Sequence, residues 1–231
     1  MHKYALSNLL RSFTAFFIAA ALLLPLFLTS CGTHNTSQTV STDNQEEIIN
    51  ITADFFKELS NADKIAVSSY NGYELNFKYA KQGDRFYYFD NETDLESYYY
   101  KDNSGKKYRV EFESAYPDDK GYDRYSNLIA DLVKTYVTDL VNIDTAGGNF
   151  VFSGTKKDET AGNNKSSSLS VSITGEKGGL STKIKIEAIA DNEGRVTKLI
   201  SSFEDDTQKQ TSEFRFSYDN IKVDLPDSFN V

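Results

Sequence analysis

Residues 168–190 read SLSVSITGEKGGLSTKIKIEAIA, and this stretch decides the fold. Apolar side chains alternate with polar ones on both sides of the turn sequence EKGG; they are Leu169, Val171, Ile173, Ile184 and Ile186. Because successive side chains of a β-strand point to opposite faces of a sheet, this alternation predicts two strands with one buried face each. Two strands joined by so short a turn pair in antiparallel fashion, so the sequence predicts an antiparallel sheet here.

The same alternation, interrupted by turn residues, recurs along most of the chain. It predicts strands over residues 73–79, 85–89, 96–100, 108–112, 150–154, 169–174, 182–189, 195–203 and 212–218. Residues 155–167 are polar and lack this alternation, and we interpret them as a long mobile loop. A short alternating segment, residues 221–225, ends at Pro226.

Two other segments show the spacing of amphipathic helices. In residues 45–60, apolar side chains recur every three or four positions, and Asn44 or Asp43 is placed to cap the first turn. The strongest helical pattern covers about residues 123–142, where apolar residues follow the i, i+3, i+4, i+7 spacing. The glycines at 147 and 148 end this second helix.

Together these elements predict one α+β domain over residues 45–231, with about nine or ten strands and two amphipathic helices. A sheet of this size curls, so we expect a curved antiparallel sheet. The apolar faces of the helices must be buried, and we expect both helices to pack on the concave side of the sheet.

The first thirty residues have the pattern of an export signal. Lys3 and Arg11 supply positive charge, and an apolar run over residues 13–28 follows. A transmembrane helix needs about 20 apolar residues, whereas this run is shorter and contains a proline. Residues 1–30 are therefore predicted to be a cleaved signal. Residues 31–44 are polar and rich in serine, threonine and asparagine, and are predicted to form a flexible tether.

The end of the apolar run, Leu28-Thr29-Ser30-Cys31, resembles the lipobox of bacterial lipoproteins. This resemblance implies that cleavage precedes Cys31 and that acyl chains such as palmitate, carried on that residue, anchor the protein to the membrane. The predicted location is the cell envelope, outside the cytoplasm. The alternatives are an ordinary cleaved signal, or an uncleaved anchor in which this cysteine is incidental.

The charge and the missing side chains exclude several classes of function. Removing residues 1–30 changes the net charge from −9 to −11, and so acidic a chain is repelled by nucleic acid phosphates. Cys31 is the only cysteine, and the predicted domain contains no histidine. These absences remove Cys- and His-based catalysis and zinc ligation, so we predict no enzyme, catalytic residue, metal or cofactor. A catalytic carboxylate pair is disfavoured because the acidic clusters lie in predicted turns.

The layout of the domain resembles the lipoprotein-carrier superfamily, which includes periplasmic lipoprotein carriers and mycobacterial glycolipid-carrier lipoproteins. The matching features are the leading helix, the early hairpins, the mid-chain helix and the closing segment FRFSYDNIKVDLP at residues 214–226. The resemblance implies a strongly curved antiparallel sheet, a half-barrel, that binds acyl chains between its sheet and its helices. It carries over no individual ligand-contacting residue.

Aromatic residues supply the candidate lining for such a cavity, since residues 86–89 and 98–100 place rings on both faces of two strands. We predict a monomer that binds or carries a lipid or other amphiphile. The candidate ligand-binding residues are Phe77, Phe86, Tyr88, Tyr99, Phe112 and Tyr136. Alternatively, there is no cavity: the rings on one face of the sheet pack in the core, and half-exposed tyrosines cover the other face. Exposed tyrosines would also suit a non-enzymatic surface module that binds a protein or glycan.

Overall fold

The protein is described by a computed structural model over residues 36–112 and 114–225. It contains one open, mostly antiparallel sheet of 12 strands together with helices, which confirms the α+β class with a dominant antiparallel sheet. The strands are β1 (Thr36–Thr42), β2 (Lys64–Asn71), β3 (Glu74–Gln82), β4 (Arg85–Asp90), β5 (Leu95–Lys101), β6 (Lys107–Glu111), β7 (Ser114–Pro117), β8 (Gly148–Ala161), β9 (Asn164–Lys177), β10 (Leu180–Ala190), β11 (Val196–Asp205) and β12 (Lys209–Ser217).

The strands are arranged as two series of antiparallel hairpins joined at the centre of the sheet. The order is β1-β8-β9-β10-β11-β12-β2-β3-β4-β5-β6-β7, so β1 and β7 form the two edges. The series meet where β12 pairs with β2, with Phe214 opposite Ser69. The short turn quoted above connects β9 and β10, whose Ile173 and Ile184 lie opposite each other as the alternation predicts.

Three of the strands were not predicted, which is why the sheet is larger than expected. β1 lies in the segment predicted to be a flexible tether. That prediction is wrong over Thr36–Thr42, because these residues form a β-strand. This segment has only one apolar residue, Val40, and its extended form comes from backbone pairing with β8. β2 and β7 are the other two. Residues 31–35 of the predicted tether lie outside the described residues.

The prediction of a mobile loop over residues 155–167 is wrong. β8 and β9 continue as paired strands through almost all of it, and they reverse at Gly162, which has a φ of +64°. Sheet hydrogen bonds join backbone groups and do not require apolar side chains, so a polar segment extends the hairpin when both neighbours are in place. Ser167 supports the pairing by donating a 2.6 Å hydrogen bond to Asp158.

The first predicted helix is confirmed as α1 (Gln45–Ser60). Asn44 caps it, since its side-chain oxygen accepts hydrogen bonds from the backbone N–H groups of Glu46 and Glu47 at 2.9 and 3.2 Å. Both glutamates lie in the first turn, where negative charge interacts favourably with the helix dipole.

The second predicted helix, residues 123–142, is instead a series of shorter pieces. These are α2 (Asp119–Ser126), α3 (Leu128–Val133), a π-helical segment (Lys134–Thr138) and a single turn, α4 (Asp139–Val141). At the α2–α3 junction the Asn127 side chain donates a 3.0 Å hydrogen bond to the Asp123 carbonyl. Such side-chain bonds compete with the regular helical ladder, which explains a break at this residue. We call the series from α2 to α4 the helical run.

Most of the buried apolar residues of the sheet and the helices form one hydrophobic core, and Val110 of β6 is buried outside it. Two hydrogen bonds connect the helical run to the strands: the Tyr79 hydroxyl donates to the Tyr125 carbonyl at 2.8 Å, and the Ser201 hydroxyl donates to the Tyr136 carbonyl at 2.8 Å. The closing segment is not a strand, but its apolar residues are buried; they are Ile221, Val223 and Leu225. No helix in the described ranges combines the length and the apolar character that crossing a membrane requires.

Candidate functional site

The register between β4 and β5 divides the aromatic residues between the two faces of the sheet. Phe86 lies opposite Tyr99, and Tyr87 lies opposite Tyr98. Phe86 and Tyr99 are part of the hydrophobic core, whereas Tyr87 and Tyr98 are only partly buried on the other face. The two sets of aromatic rings therefore belong to different surfaces, as the alternation along each strand requires.

A cleft of about 370 Å³ lies between the helical run and the core face of the sheet, and we call it the aromatic cleft. Three of the six candidate residues line it: Phe77, Tyr88 and Tyr136. The sequence did not indicate its other lining residues as ligand-binding candidates; they are Arg124, Tyr125, Leu128, Asp131, Leu132, Thr135 and Phe214. The structure thus brings together aromatic side chains from β3, β4, β12 and the helical run.

The rings of the aromatic cleft contact one another closely. Tyr125 is central, because its ring centroid lies 4.6 Å from that of Tyr88 and 4.6 Å from that of Tyr99. Phe77 lies 5.6 Å from Tyr88, and Tyr136 meets Phe214 edge to face at 4.8 Å. These separations fall within the range in which aromatic pairs attract each other, so the lining is well packed.

A second, smaller cleft of about 240 Å³ adjoins the aromatic cleft. The two share Thr135 and Tyr136, and the smaller one also contacts Leu140 and Phe203. Both shared residues belong to the π-helical segment Lys134–Thr138. The irregular part of the helical run therefore coincides with the position where the two clefts meet. Single π-helical turns within helices are frequent at functional sites.

The aromatic cleft contains one cation and one anion. The Arg124 guanidinium lies 5.6 Å from the Tyr125 ring centroid. Within the part of the chain that the structure describes, no carboxylate lies within 4.0 Å of this guanidinium, and Asp131 in the same cleft forms no ion pair with it. In a chain with an excess of acidic residues, an arginine without an ion pair beside an aromatic wall is available to an anionic group of a ligand.

The phenol groups of Tyr88, Tyr99 and Tyr125 are held in their neutral form. Burial raises the pKa of Tyr88 to about 12, and the neighbouring Tyr125 adds to the effect. Burial is also the largest cause for Tyr99, whose pKa rises to about 12, and it raises the pKa of Tyr125. Each of these hydroxyls is therefore protonated near neutral pH, where it can donate a hydrogen bond.

These raised pKa values predict a loss of stability in alkaline solution. The folded state keeps Tyr88 and Tyr99 protonated up to about pH 12, whereas phenols of the unfolded chain ionise near the ordinary value of 10.0. Their contribution to the free energy of unfolding is complete below about pH 10 and is lost as the pH rises to about 12. Urea unfolding across this range tests the prediction, and Tyr88→Phe should lose less stability than the unsubstituted protein. An equal loss in the two proteins would contradict it.

The remaining three candidate residues lie outside the aromatic cleft. Phe86 is 1% exposed and packs against Tyr79 and Tyr122 within the core. Tyr99 is 3% exposed and contacts the cleft only through Tyr125. Phe112 is 87% exposed at the end of β6. The helical spacing of Tyr125, Leu128, Leu132 and Tyr136 was visible in the sequence, but nothing there indicated which strands would face it.

The opposite face of the sheet carries its own aromatic surface. Tyr87 and Tyr98 lie 5.2 Å apart, and Tyr100 stacks on Tyr108 at 5.2 Å. A cleft of about 490 Å³ beside the second pair is lined in part by Arg85. This face holds the half-exposed tyrosines that the alternative prediction, a surface module, requires.

Comparisons with known protein families, with curated proteins and with solved structures find no match to this chain. The resemblance to the lipoprotein-carrier superfamily therefore stays a prediction. In the described ranges, no three Asp, Glu, His or Cys side chains converge as metal ligands. The predicted lipidation site, Cys31, lies outside the described residues.

Proposed function

We propose that the protein is a lipoprotein, anchored to the membrane through Cys31, that binds one lipid or other amphiphile in the aromatic cleft. The observation that carries this proposal is the convergence of Phe77, Tyr88 and Tyr136 on a single cleft between sheet and helical run. Its volume of about 370 Å³ is within the range of about 300–1,000 Å³ typical of small-molecule sites. Its lining combines apolar and aromatic side chains with polar and charged groups, among them Arg124, Asp131 and Thr135.

The charges at the cleft favour a particular kind of head group. Arg124 lacks an ion pair with any described carboxylate, so a phosphate or carboxylate of the ligand would have a partner there. Asp131 lines the same cleft and would repel a purely anionic head group but attract a positive one. A zwitterionic head group satisfies both residues, while the apolar part of the ligand contacts Leu128, Leu132 and Phe214.

The proposal includes a strongly curved sheet, a half-barrel with the helices on its concave side. Support comes from the hydrophobic core, which unites residues of α1, of the helical run and of strands from both halves of the sheet. Twelve strands also exceed the number that twisted open sheets usually reach without curling. A crystal structure tests this part of the proposal, and a flat sheet with solvent on both faces would reject it.

The anchor would orient the domain on the membrane. Cys31 and Thr36 are five positions apart, and that length of chain spans at most about 18 Å. Thr36 pairs with Thr160, near the tip of the β8–β9 hairpin. A lipidated Cys31 would therefore hold this tip close to the membrane surface.

Lipid binding is tested by native mass spectrometry of the protein released from membranes. We expect a co-purifying amphiphile with the unsubstituted chain, and about tenfold less of it with Tyr136→Ala or with Arg124→Gln. Arg124 is exposed, so its substitution should leave the melting temperature unchanged and separate lost binding from lost folding. Tyr100→Ala, on the opposite face, is the matched control. A protein that carries no lipid, or variants that carry as much as the control, would reject the proposal.

A second candidate function is a surface module that binds a protein or glycan through the opposite face. Cations lie over half-buried rings there: the Arg215 guanidinium is 4.7 Å from the Tyr70 ring centroid, and the Lys78 ammonium is 5.8 Å from that of Phe89. Aromatic residues and arginine are enriched at interfaces. This function predicts that Tyr100→Ala impairs binding to whole cells or cell-wall fractions while lipid content is unchanged.

A further inference from the structure

Five hairpin connections lie at one end of the sheet, and three of them carry an exposed large apolar side chain. Tyr73 connects β2 to β3 and is 104% exposed, Phe112 follows β6 and is 87% exposed, and Leu180 begins β10 and is 60% exposed. The other exposed large apolar side chains of the described residues lie inside strands. We call the end that carries Tyr73, Phe112 and Leu180 the apolar rim.

The three apolar side chains are evenly distributed along the rim. The strands β10, β11, β12 and β2 separate Leu180 from Tyr73, and the strands β3, β4, β5 and β6 separate Tyr73 from Phe112. Neighbouring strands lie about 4.8 Å apart, so successive apolar tips are about 19 Å apart when measured across the strands. They therefore do not form one contiguous apolar patch.

Acidic connections alternate with the apolar ones along the rim. The β11–β12 hairpin carries Asp205 and Asp206 at its tip, and the β4–β5 connection carries Glu92 and Asp94. Within the ranges that the structure describes, none of these four carboxylates has a basic side chain within 4.0 Å. A surface that meets the rim must therefore be compatible with negative charge as well as with apolar side chains.

Phe112 has a backbone conformation that is unfavourable for its side chain. Its φ is +46°, in the left-handed region where glycine and asparagine are favoured and bulky residues are rare. Tyr73 occupies a hairpin turn, where glycine, asparagine and aspartate are the usual residues. Both rings are almost fully exposed, so burial of these rings contributes little to stability. Neither packing nor backbone preference accounts for the two rings, and both suit a contact outside the chain.

A bilayer accepts such separated side chains, whereas a protein partner would need a separate pocket for each. Protein interfaces concentrate their binding energy in a contiguous, well-packed core. The interfacial layer of a membrane accepts tyrosine, phenylalanine and leucine wherever they enter it. Anionic head groups would repel the acidic connections, but the ammonium groups of zwitterionic lipids can pair with them. The spacing and the charge of the rim therefore both favour a zwitterionic bilayer.

We propose that the apolar rim docks on a bilayer of zwitterionic lipid, with Tyr73, Phe112 and Leu180 inserted into its interfacial layer. Thr36 lies near the opposite end of the sheet, and the 14 residues of β9 span about 45 Å between the two ends. With the anchor at Cys31, the docked bilayer is a second membrane, which the domain bridges to the first. This last part rests on the proposed function, whereas docking itself does not.

Vesicles of phosphatidylcholine and phosphatidylethanolamine, added to the full-length protein in nanodiscs, test the proposal. The chain contains no tryptophan, so Phe112→Trp supplies a single fluorescent reporter at the rim. We expect its emission to shift to shorter wavelength, and brominated lipid that is present only in the vesicles to quench it. Asn192→Trp, at an exposed position of the β10–β11 connection at the other end, is the matched control and should show neither effect.

Co-flotation with the vesicles measures the contribution of individual tips. Tyr73→Ser should lower the affinity for the vesicles about tenfold and leave the melting temperature unchanged, because the ring is exposed. Phe112→Asn should lower the affinity similarly and raise the melting temperature, because asparagine tolerates the left-handed conformation. Tyr116→Ser, at an exposed ring inside β7, is the matched control and should change neither quantity.

Replacing part of the zwitterionic lipid with phosphatidylglycerol should weaken docking, and high salt should reduce this effect. The proposal is overturned if Phe112→Trp is quenched no more than Asn192→Trp, or if Tyr73→Ser binds vesicles as well as Tyr116→Ser does. It is also overturned if phosphatidylglycerol strengthens docking, or if the rim ignores vesicles and cross-links to a protein in cells. Failure of the aromatic cleft is a separate result, since Tyr136→Ala should lose its amphiphile and keep docking.

Discussion

Replacing Cys31 with serine is expected to abolish membrane anchoring almost completely. Each buried methylene of an acyl chain contributes about 0.8 kcal/mol to membrane binding, and stable anchoring needs two such chains or one chain with a second signal. The predicted domain carries a net negative charge, which anionic lipid head groups repel, so it supplies no electrostatic second signal. Without the thiol, no diacylglyceryl group can be attached, and the protein should lose its hold on the bilayer.

Metabolic labelling with a palmitate analogue, followed by membrane fractionation, measures this effect. The unsubstituted protein should carry label and sediment with membranes, and Cys31→Ser should carry none. Thr33→Ser, two residues further along the chain, controls for a general loss of export or expression. Label of equal strength on Cys31→Ser would mean that the lipobox resemblance is misleading and that the location of the protein needs another explanation.

Replacing Phe86 with alanine is expected to lower the free energy of unfolding by about 3–5 kcal/mol. Phe86 is 1% exposed, and its ring meets that of Tyr122 edge to face at 5.0 Å and stacks on Tyr79 at 6.5 Å. Removing it leaves a cavity where β3, β4 and α2 come together. Natural domains are stable by only about 5–15 kcal/mol, so this single change removes a large share of the total.

Phe112→Ala provides the matched comparison, since it truncates the same side chain at a site that is 87% exposed. We expect it to change the free energy of unfolding by at most about 0.5 kcal/mol. Denaturant unfolding of both variants separates two roles that the sequence could not distinguish, core packing and ligand contact. Equal effects of the two substitutions would show that Phe86 does not support the core as its burial indicates.

The aromatic cleft shows why residue type is a limited guide to function here. Phe77, Phe86 and Tyr88 alternate inward on two paired strands, yet only Phe77 and Tyr88 reach the cleft, because α2 covers Phe86 through Tyr122. Arg124 had no distinguishing feature in the sequence. It becomes a candidate only because folding brings it to the aromatic cleft, where no carboxylate of the described residues lies within 4.0 Å of it.

Local sequence was sufficient for the features that depend on neighbouring residues. The alternation of Leu169, Val171 and Ile173 determined the direction of the β9 side chains, and the spacing of apolar residues with Asn44 determined α1. The signal pattern and the resemblance to a lipobox at Cys31 are also local patterns, and they stay predictions. For β9 and α1 the physical cause is a repeat of two or of 3.6 residues, or a helix cap, and it lies within a few positions of the strand or helix that it determines.

The tertiary structure decided whatever depends on a distant partner. Thr36–Thr42 and the polar part of the β8–β9 hairpin are strands because backbone groups far apart in sequence pair with each other, and side-chain patterns carry no trace of such pairing. The division of the aromatic residues between a core, a cleft and an opposite face follows from strand register and from where the helical run packs. Those are long-range contacts, whose free energy is realised only when the chain is folded.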